Sequence, residues 1–303
     1  MAAGRFAPSP SGDMHIGNLR TALLAWAWAR QSGRDFVLRV EDIDRVKQGA
    51  AQRQIEDLAT LGIDWDGDVL FQSTRRPAHE AAIGQLREAG VLFECYCSRR
   101  DIKEAASAPH VRPGSYPGTC RNLSPAERER RRAELASVGR GPALRLNPTV
   151  DVWSVEDDLF GTVTEPIDCV VLQRGDGTLA YNLVVVVDDA FQGVDQVVRA
   201  DDLLSSAPAQ AYIAHALGLV QPRYAHVPLV INEAGDRLAK RDGAVTLREF
   251  LDLGWTVADV VGKIAGSLGF EARSAEQFLD VFDRRRMVRT PWVFSPADGP
   301  AGS

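Results

Sequence analysis

The sequence predicts an α/β fold in which helices cover a parallel sheet. Strand and helix patterns alternate from residue 4 to residue 90, as is typical of a parallel sheet with helical crossovers. Glycine follows each of the first three predicted helices, at Gly33, Gly62 and Gly90, where a left-handed residue commonly ends a helix. A length of 303 residues accommodates one large domain or two modest domains.

The first half of the chain supplies the clearest elements. Strands are expected at residues 4–7 and 36–40, and helices at residues 18–31, 50–61 and 74–89. The helix at 18–31 places Leu19, Leu23 and Trp26 at the spacing of one helix face, which predicts packing against the sheet.

Residues 95–145 interrupt this alternation and are interpreted as an insertion, because they are rich in Pro, Gly and Arg. Strand patterns return at residues 167–173, 183–187 and 227–231, and helix patterns occur at 205–217, 246–253, 257–268 and 275–282. The run at 183–187 is apolar throughout, which predicts a central, buried strand. We therefore expect a main domain from 1–94 and 146–244, an inserted subdomain at 95–145, a helical region at 245–294 and a disordered tail at 295–303.

The composition is that of an ordinary globular protein, with 45% hydrophobic and 25% charged residues. Without an apolar run of membrane-spanning length, a signal peptide pattern or a disulfide framework, a cytoplasmic location is expected. The net charge of -6 gives no overall attraction to nucleic acid. Residues 95–150, however, hold eleven Lys or Arg against five Asp or Glu, which is typical either of a phosphate-binding surface or of a solvated helix.

Residues 5–18 form the most informative segment, with the sequence Arg5-Phe6-Ala7-Pro8-Ser9-Pro10-Ser11-Gly12-Asp13-Met14-His15-Ile16-Gly17-Asn18. A strand, a turn and a helix start in this order present free backbone N–H groups and the positive end of a helix dipole to a phosphate. Gly17 leaves room for a base or a ribose, and His15 supplies a donor for phosphate oxygens. Taken alone, a His-Ile-Gly run is more often structural.

Lys240 stands in a loop with the sequence Arg237-Leu238-Ala239-Lys240-Arg241 and offers a mobile positive charge. A single lysine in a turn is usually solvated, so this loop gains meaning only beside the segment at 5–18. Together they are interpreted as two halves of one ATP site.

Charged residues at predicted strand ends indicate a second ligand beside the nucleotide. Glu41 follows the strand at 36–40, at the edge where open α/β sheets bind ligands, and its carboxylate suits an ammonium group; capping of the next helix is an equal alternative. Arg199 follows two valines at the edge of the sheet, and Arg5 could share its task of pairing with a carboxylate. Tyr181 and Asn182 begin the predicted strand at 183–187 and are further candidates. This set suits a dicarboxylic amino acid.

Three cysteines, Cys95, Cys97 and Cys120, lie in the insertion and suggest zinc. A closed tetrahedral site needs a fourth ligand, for which the residues leave two candidates, His110 and Tyr116. Cys169 lies in an apolar pattern and is expected in the core.

The order of these segments resembles the class I aminoacyl-tRNA synthetases in their glutamate-specific form. The first segment is similar to the His-Ile-Gly-His signature and the lysine loop to the Lys-Met-Ser-Lys-Ser signature. Arg-Val-Glu-Asp-Ile-Asp, Tyr-Asn-Leu, Val-Val-Asp-Asp and Val-Val-Arg extend the resemblance over roughly residues 4–250. The Cys-x-Cys and Tyr-x-x-x-Cys pair resembles the truncated branch of the family, the glutamyl-Q tRNA(Asp) synthetases. Departures are Arg237, Ala239 and Asn18, where Lys, Ser and His are usual.

The resemblance implies a Rossmann-like catalytic domain with a zinc-containing insertion, acting as an ATP-dependent ligase. It implies that L-glutamate and ATP, with Mg²⁺, give glutamyl-adenylate without tRNA, and that glutamate then passes to queuosine in the anticodon of tRNA(Asp). No segment of ordinary domain size remains after residue 250 for an anticodon-binding domain. A monomer without membrane association is expected.

The resemblance also implies roles for single residues. The implied glutamate positions are Arg5, Phe6, Ala7, Pro8, Ser9, Glu41, Tyr181 and Arg199. The implied ATP positions are His15, Gly17, Asn18 and Lys240, of which His15 and Lys240 are the catalytic pair. The implied ligands of one structural zinc ion are Cys95, Cys97, Tyr116 and Cys120. Two alternatives stay open: another class I adenylyltransferase acting on a small acid or a cofactor precursor, and a non-catalytic, zinc-stapled tRNA-binding paralogue.

Overall fold

The computed structural model describes residues 2–98, 100–102, 116–238 and 246–295. In these ranges the helices are α1 (Ile16–Gln31), α2 (Ala50–Thr60), α3 (Arg76–Glu88), α4 (Pro125–Ala136), α5 (Tyr181–Phe191), α6 (Ala207–Ala216), α7 (Leu247–Asp252), α8 (Val257–Ser267) and α9 (Ala275–Val281). The strands are β1 (Ala3–Phe6), β2 (Asp35–Val40), β3 (Leu70–Phe71), β4 (Leu92–Cys95), β5 (Ala143–Leu146), β6 (Val152–Asp157), β7 (Gly161–Pro166), β8 (Val171–Gln173), β9 (Val194–Ala200), β10 (Arg223–Val227), β11 (Val230–Ile231) and β12 (Trp292–Val293).

The main sheet has seven strands in the order β3-β2-β1-β9-β10-β6-β7. Its neighbours pair in parallel except for β6 and β7, which form an antiparallel hairpin. The predicted α/β fold with a parallel sheet is therefore confirmed. A smaller antiparallel sheet, β4-β5-β8, flanks the segment between residues 95 and 143, and β11 pairs with β12.

Strand β1 sits between β2 and β9, so the chain leaves it to one side of the sheet and returns much later on the other. Such a switch point opens a crevice at the carboxyl ends of the strands, where open α/β sheets bind ligands. Arg199 is the penultimate residue of β9, the central strand, so the edge that it reaches is this carboxyl edge.

Helix α1 is buried on almost every side, and its sequence is entirely apolar over residues 22–29. The C-terminal helices pack on it and share its core; Trp28 of α1, for example, contacts Phe282 with ring centroids 5.7 Å apart. No helix in the described part of the chain is long and apolar enough to cross a membrane.

The strand predicted at residues 183–187 is wrong, because this run lies inside helix α5. A continuous apolar run fits a buried helix as well as a buried strand, and here Leu183, Val184, Val185 and Val186 are buried as α5 packs against α3, α6 and the sheet. The strand predicted at 167–173 is reduced to β8, and the one at 227–231 is divided into β10 and β11. The hairpin of β6 and β7 was not predicted, whereas the expected helices are present with shifts of a few residues at their ends.

Candidate functional site

A cavity of about 620 Å³ opens at the carboxyl ends of β1 and β9. Its wall includes the loop between β1 and α1, the start of α5 and the residues that follow β9. The residues predicted for ligand contact that line it are Arg5, Phe6, Ala7, Pro8, Ser9, His15, Asn18, Glu41, Tyr181 and Arg199. The fold thus brings together side chains from distant parts of the sequence at the edge where ligand binding is expected.

Arg5, which lines the cavity, and the buried Arg39 share one carboxylate. Arg5 Nε donates to Asp189 Oδ1 at 3.3 Å, and Arg39 Nη2 donates to the same oxygen at 2.7 Å. Arg39 Nη2 also lies 3.6 Å from Glu41 Oε1, and Glu41 is 8% exposed. Burial raises the pKa of Glu41, although the charges of Arg39 and Arg5 oppose that rise. The positive charge of Arg5 and Arg39 is therefore largely balanced within the protein.

Arg199 is buried but has a different set of partners. Its Nε donates to His226 Nε2 at 2.9 Å and its Nη1 to Gln210 Oε1 at 2.7 Å. Its Nη2 donates to the carbonyl oxygen of Leu203 at 3.3 Å and to Ser206 Oγ at 3.4 Å. These partners are uncharged, and within the described ranges no carboxylate forms an ion pair with Arg199. Its charge is thus available to a ligand in the cavity.

His15 is the N-cap of α1 and also faces the cavity. Its Nδ1 accepts from the backbone N–H groups of Gly17 at 3.1 Å and Asn18 at 3.3 Å, while Asn18 Oδ1 accepts from the His15 N–H. Burial and the nearby charge of Arg237 lower the pKa of His15 to about 4. The ring is therefore neutral near pH 7 with its proton on Nε2, which makes Nε2–H a donor.

This cap corrects one expectation about the helix start. The N–H groups of Gly17 and Asn18 are not free for a phosphate, because the ring of His15 already occupies them. Gly17 lies beneath the ring rather than in the cavity wall; a Cβ at this position would stand 3.0 Å from the ring and 3.2 Å from Val230. Gly17 therefore makes room for the side chain of His15. The space that was expected to receive the base or ribose of ATP is occupied by this ring.

The loop between β1 and α1 is held in shape from two sides. Gln54 Nε2 donates to the carbonyl oxygens of Ser9 at 3.1 Å and Gly12 at 2.6 Å. The N–H of Glu41 donates to the carbonyl oxygen of Pro8 at 3.0 Å. These bonds within the protein hold the Pro/Ser turn and Glu41 at the same cavity.

The first residue of the predicted lysine loop, Arg237, lies at the cavity. Arg237 lines the wall and forms an ion pair with Asp202, Nη1 to Oδ2, at 2.5 Å. Thr246, the first described residue after the loop, forms an isolated β-bridge with His15. Ala239, Lys240 and Arg241 lie outside the described residues, and described residues on either side of them, Arg237 and Thr246, contact the site.

The cysteine cluster is compact. The sulfur atoms of Cys95, Cys97 and Cys120 lie within 4.8 Å of one another, and those of Cys97 and Cys120 are 3.5 Å apart. Tyr116 Oη is 3.4 Å from Cys95 Sγ and 3.8 Å from Cys97 Sγ. Tetrahedral zinc with Zn–S bonds of about 2.3 Å and a Zn–O bond of about 2.0 Å needs S···S spacings of about 3.8 Å and S···O spacings of about 3.5 Å. The four side chains fit a zinc ion; His110 lies outside the described residues.

A second cavity, of about 470 Å³, separates this cluster from the start of α5. Three arginines line it, Arg140, Arg145 and Arg174, and Tyr181 stands in the wall of both cavities. The two cavities therefore adjoin each other at Tyr181. The first lies at the edge of the sheet, and the second lies beside the thiol cluster.

Sequence reasoning missed several side chains that shape the site, chiefly Arg39, Gln210, His226 and Asp157. Arg39 is a charged residue within the otherwise apolar run at 36–40, and such a residue needs a buried partner. This feature of the sequence could have identified Arg39. Gln210 and His226 carry no comparable signal, because a polar residue in a helix or a half-polar strand is ordinary.

Comparison with known proteins places this geometry in a family. A family model described as tRNA synthetases class I (E and Q), catalytic domain, matches residues 2–290. A glutamyl-Q tRNA(Asp) synthetase of Nocardia farcinica is 58% identical over 97% of this chain and 93% of its own length. Glutamate–tRNA ligase 1 of Methylobacterium radiotolerans is 39% identical over 92% of this chain and 60% of its own length.

A solved structure shares the fold. The glutamate-tRNA synthetase of Elizabethkingia anophelis superposes with a TM-score of 0.82 at 23% identity, covering 98% of this chain and 68% of that one. The resemblance predicted from the sequence segments is confirmed by the family model and the relatives. The chain belongs to the class I tRNA synthetases of the glutamate and glutamine group, and it is an ATP-dependent ligase.

Proposed function

We propose that this chain activates L-glutamate with ATP and Mg²⁺ to glutamyl-adenylate without tRNA, and then passes glutamate to queuosine in the anticodon of tRNA(Asp). The observation that carries the first step is Arg199, a buried cation at the cavity whose hydrogen-bond partners are uncharged. A buried charge without a directly contacting counterion is costly, and a substrate carboxylate in the cavity would lower that cost.

The charge balance of the cavity favours glutamate over glutamine. Arg5 and Arg39 pair with the carboxylates of Asp189 and Glu41, whereas Arg199 contacts no carboxylate directly and reaches Asp157 only through the ring of His226. Glutamate offers Arg199 a side-chain carboxylate, whereas glutamine offers only an uncharged amide. In this assignment Arg199 and Arg5 bind the side-chain carboxylate, and Glu41 binds the ammonium group.

The other predicted positions complete the glutamate pocket. Tyr181 stands at its mouth, and Phe6, Ala7, Pro8 and Ser9 form the wall that Gln54 and Glu41 hold in place. Because these contacts are made by the protein itself, the pocket is preorganised, which is the physical reason to expect activation before tRNA binds.

The adenylation step needs positioning and charge more than covalent catalysis. The substrate α-carboxylate attacks the α-phosphorus of ATP, an acyl O–P bond forms, and the bond to pyrophosphate breaks. His15 Nε2–H is oriented by the cap of α1 and would donate to phosphate oxygens, with Asn18 and Gly17 as its support. Lys240 would neutralise the charge on the departing pyrophosphate together with Mg²⁺.

The acceptor is inferred from two observations. The Nocardia farcinica relative is named glutamyl-Q tRNA(Asp) synthetase, and the match covers 93% of its length. The arginine-lined second cavity adjoins the glutamate pocket at Tyr181 and suits a polyanion. In this proposal zinc, held by Cys95, Cys97, Cys120 and Tyr116, organises the insertion at 95–145 beside the main domain, 1–94 and 146–244, and the helical region at 245–294.

Transfer of labelled glutamate tests the acceptor. Protein, ATP and radiolabelled glutamate are incubated with tRNA(Asp) carrying queuosine, with tRNA(Asp) carrying guanosine at that position, and with tRNA(Glu). The proposal predicts label only on the first RNA, in a bond sensitive to mild alkali. Label on tRNA(Glu) would indicate an ordinary glutamyl-tRNA synthetase, and no label on any RNA would favour one of the two alternatives.

A further inference from the structure

A chain of buried hydrogen bonds runs from Arg199 into the sheet. On the adjacent parallel strands β9 and β10, Arg199 and His226 are register partners, so their side chains lie on the same face. Arg199 Nε donates to His226 Nε2 at 2.9 Å, and His226 Nδ1 lies 2.6 Å from Asp157 Oδ2. His226 and Asp157 are 0% and 2% exposed, so water does not compete for these bonds.

The carboxylate of Asp157 is fully occupied at the end of β6. Its Oδ2 also accepts from the backbone N–H of His226 at 3.1 Å. Its Oδ1 accepts from the backbone N–H groups of Leu159 at 2.8 Å and Phe160 at 3.0 Å. All these backbone groups donate to Asp157, so its carboxylate acts only as an acceptor. The short contact with His226 Nδ1 therefore requires a proton on Nδ1.

Only one state of His226 satisfies both neighbours. A guanidinium always donates, so Arg199 Nε–H needs a lone pair on Nε2, while Asp157 needs N–H on Nδ1. The neutral ring with its proton on Nδ1 meets both demands. The other tautomer, or a protonated ring, would point an N–H at the N–H of Arg199 and push the guanidinium out of place.

We propose that Asp157 and His226 are positioning residues for substrate binding: Asp157 fixes the tautomer of His226, and His226 fixes the plane and direction of the Arg199 guanidinium toward the substrate carboxylate. This inference rests on the proposed function, because it requires that Arg199 binds glutamate. Gln210 holds the guanidinium from the other side, with its Nε2 bonded to Asn182 Oδ1 at 3.0 Å.

Substitution of Asp157 by asparagine tests the tautomer. An amide NH₂ in place of Oδ2 would face both the N–H of His226 and its Nδ1, which drives the ring proton to Nε2 and against Arg199. We expect the Kd for glutamate, measured by calorimetry, to rise about 10- to 100-fold in Asp157→Asn, with the KM for ATP within about twofold of wild type. Asp158→Asn is the matched control, because its carboxylate pairs with the surface residues Arg223 and Arg284.

Two substitutions of His226 separate positioning from folding. In His226→Gln the side-chain oxygen reaches the place of Nε2 and can accept from Arg199, while the bond to Asp157 is lost. In His226→Asn the amide nitrogen takes the place of Nδ1 and keeps the bond to Asp157, while the acceptor for Arg199 is lost. We expect His226→Gln to bind glutamate at least five times more tightly than His226→Asn, a difference that a merely structural imidazole would not produce.

The outcomes are distinct. A folded Asp157→Asn with wild-type affinity for glutamate, or a His226→Asn that binds as tightly as His226→Gln, overturns the positioning role. If Asp157→Asn does not fold, the comparison of the two His226 variants decides. Wild-type protein that binds no glutamate contradicts the proposed function, whereas wild-type binding with unchanged variants contradicts only this inference.

Discussion

Arg199 gives the most direct prediction at the level of single residues. In Arg199→Ala the binding of glutamate should weaken by about 2–5 kcal/mol, because a desolvated charge pair loses one partner. The KM for ATP should hardly change, and discrimination between glutamate and glutamine should fall. The measurement is ATP–pyrophosphate exchange at varied amino acid concentration, with Arg223→Ala, an exposed arginine of β10, as the control. An unchanged KM for glutamate would show that Arg199 has only a structural role.

Glu41 gives a pH-dependent prediction. Burial raises its pKa, so it becomes protonated at a higher pH than an exposed glutamate. A protonated Glu41 cannot pair with the substrate ammonium group, so the KM for glutamate should rise as the pH falls below neutrality. In Glu41→Gln the KM should be high and almost independent of pH over that range. Parallel pH profiles for wild type and Glu41→Gln would exclude this role.

The residues of the site were only partly predictable. Glu41 follows a predicted strand, Arg5 lies within another, and Arg199 follows two strand-forming valines, so their proximity at the carboxyl edge of the sheet was expected. Their partners did not. Asp189 lies one residue from Asp188, yet it pairs with Arg5 and Arg39, whereas Asp188 pairs with His79 and Arg75. Which of the two adjacent carboxylates pairs with Arg5 depends on their positions on helix α5, and the preceding run at 183–187 was predicted as a strand.

At the level of elements, the local sequence was sufficient where capping residues or glycines mark the limits of a helix, and insufficient where such signals are absent. Thr246 and Thr256 are the N-caps of helices α7 and α8, each in a capping box that the sequence displays. Helix α5 and the hairpin of β6 and β7 lack such signals: the first is apolar on most sides, and the second has mixed exposure. Asp157, at the end of this unpredicted hairpin, could not have been assigned a place beside His226.

The contact between α2 and α7 gives a prediction about stability. Asp57 of α2 is buried, its Oδ2 has no partner within the described chain, and Arg248 Nε of α7 is 3.4 Å from Oδ1. Burial raises the pKa of Asp57 to about 6, with Arg248 opposing the rise. Because the pKa of Asp57 is higher in the folded state than in the unfolded state, ionisation favours the unfolded state. The contribution of Asp57 to the free energy of unfolding is therefore fully present below about pH 4 and is lost as the pH rises through about 6.

Wild-type protein should therefore lose stability relative to Asp57→Asn between about pH 4 and pH 6. Melting temperatures of both proteins across this range measure the effect. Glu56→Gln provides the contrast, because hydrogen bonds from Gln52 and Arg248 lower the pKa of Glu56 and reverse the direction. A constant difference in melting temperature between wild type and Asp57→Asn would show that Asp57 titrates normally.

At the level of the whole molecule, the thiol cluster should hold one zinc ion per chain when the protein is purified without chelators. Cys97→Ser should lose the metal, because three ligands remain for an ion that needs four. Transfer of glutamate to tRNA should then fall before tRNA-independent exchange does, since the cluster lies beyond the second cavity from the glutamate pocket. Cys169→Ser, a buried cysteine outside the cluster, should keep its zinc. Protein without zinc would contradict the metal site.

ATP–pyrophosphate exchange without tRNA, measured with each amino acid in turn, bears on the whole proposal at once. A preorganised pocket in which Arg199 has no direct carboxylate partner predicts exchange with glutamate, much weaker exchange with glutamine and aspartate, and no stimulation by added tRNA. Exchange that appears only after tRNA is added, or that glutamine supports as well as glutamate, would contradict it.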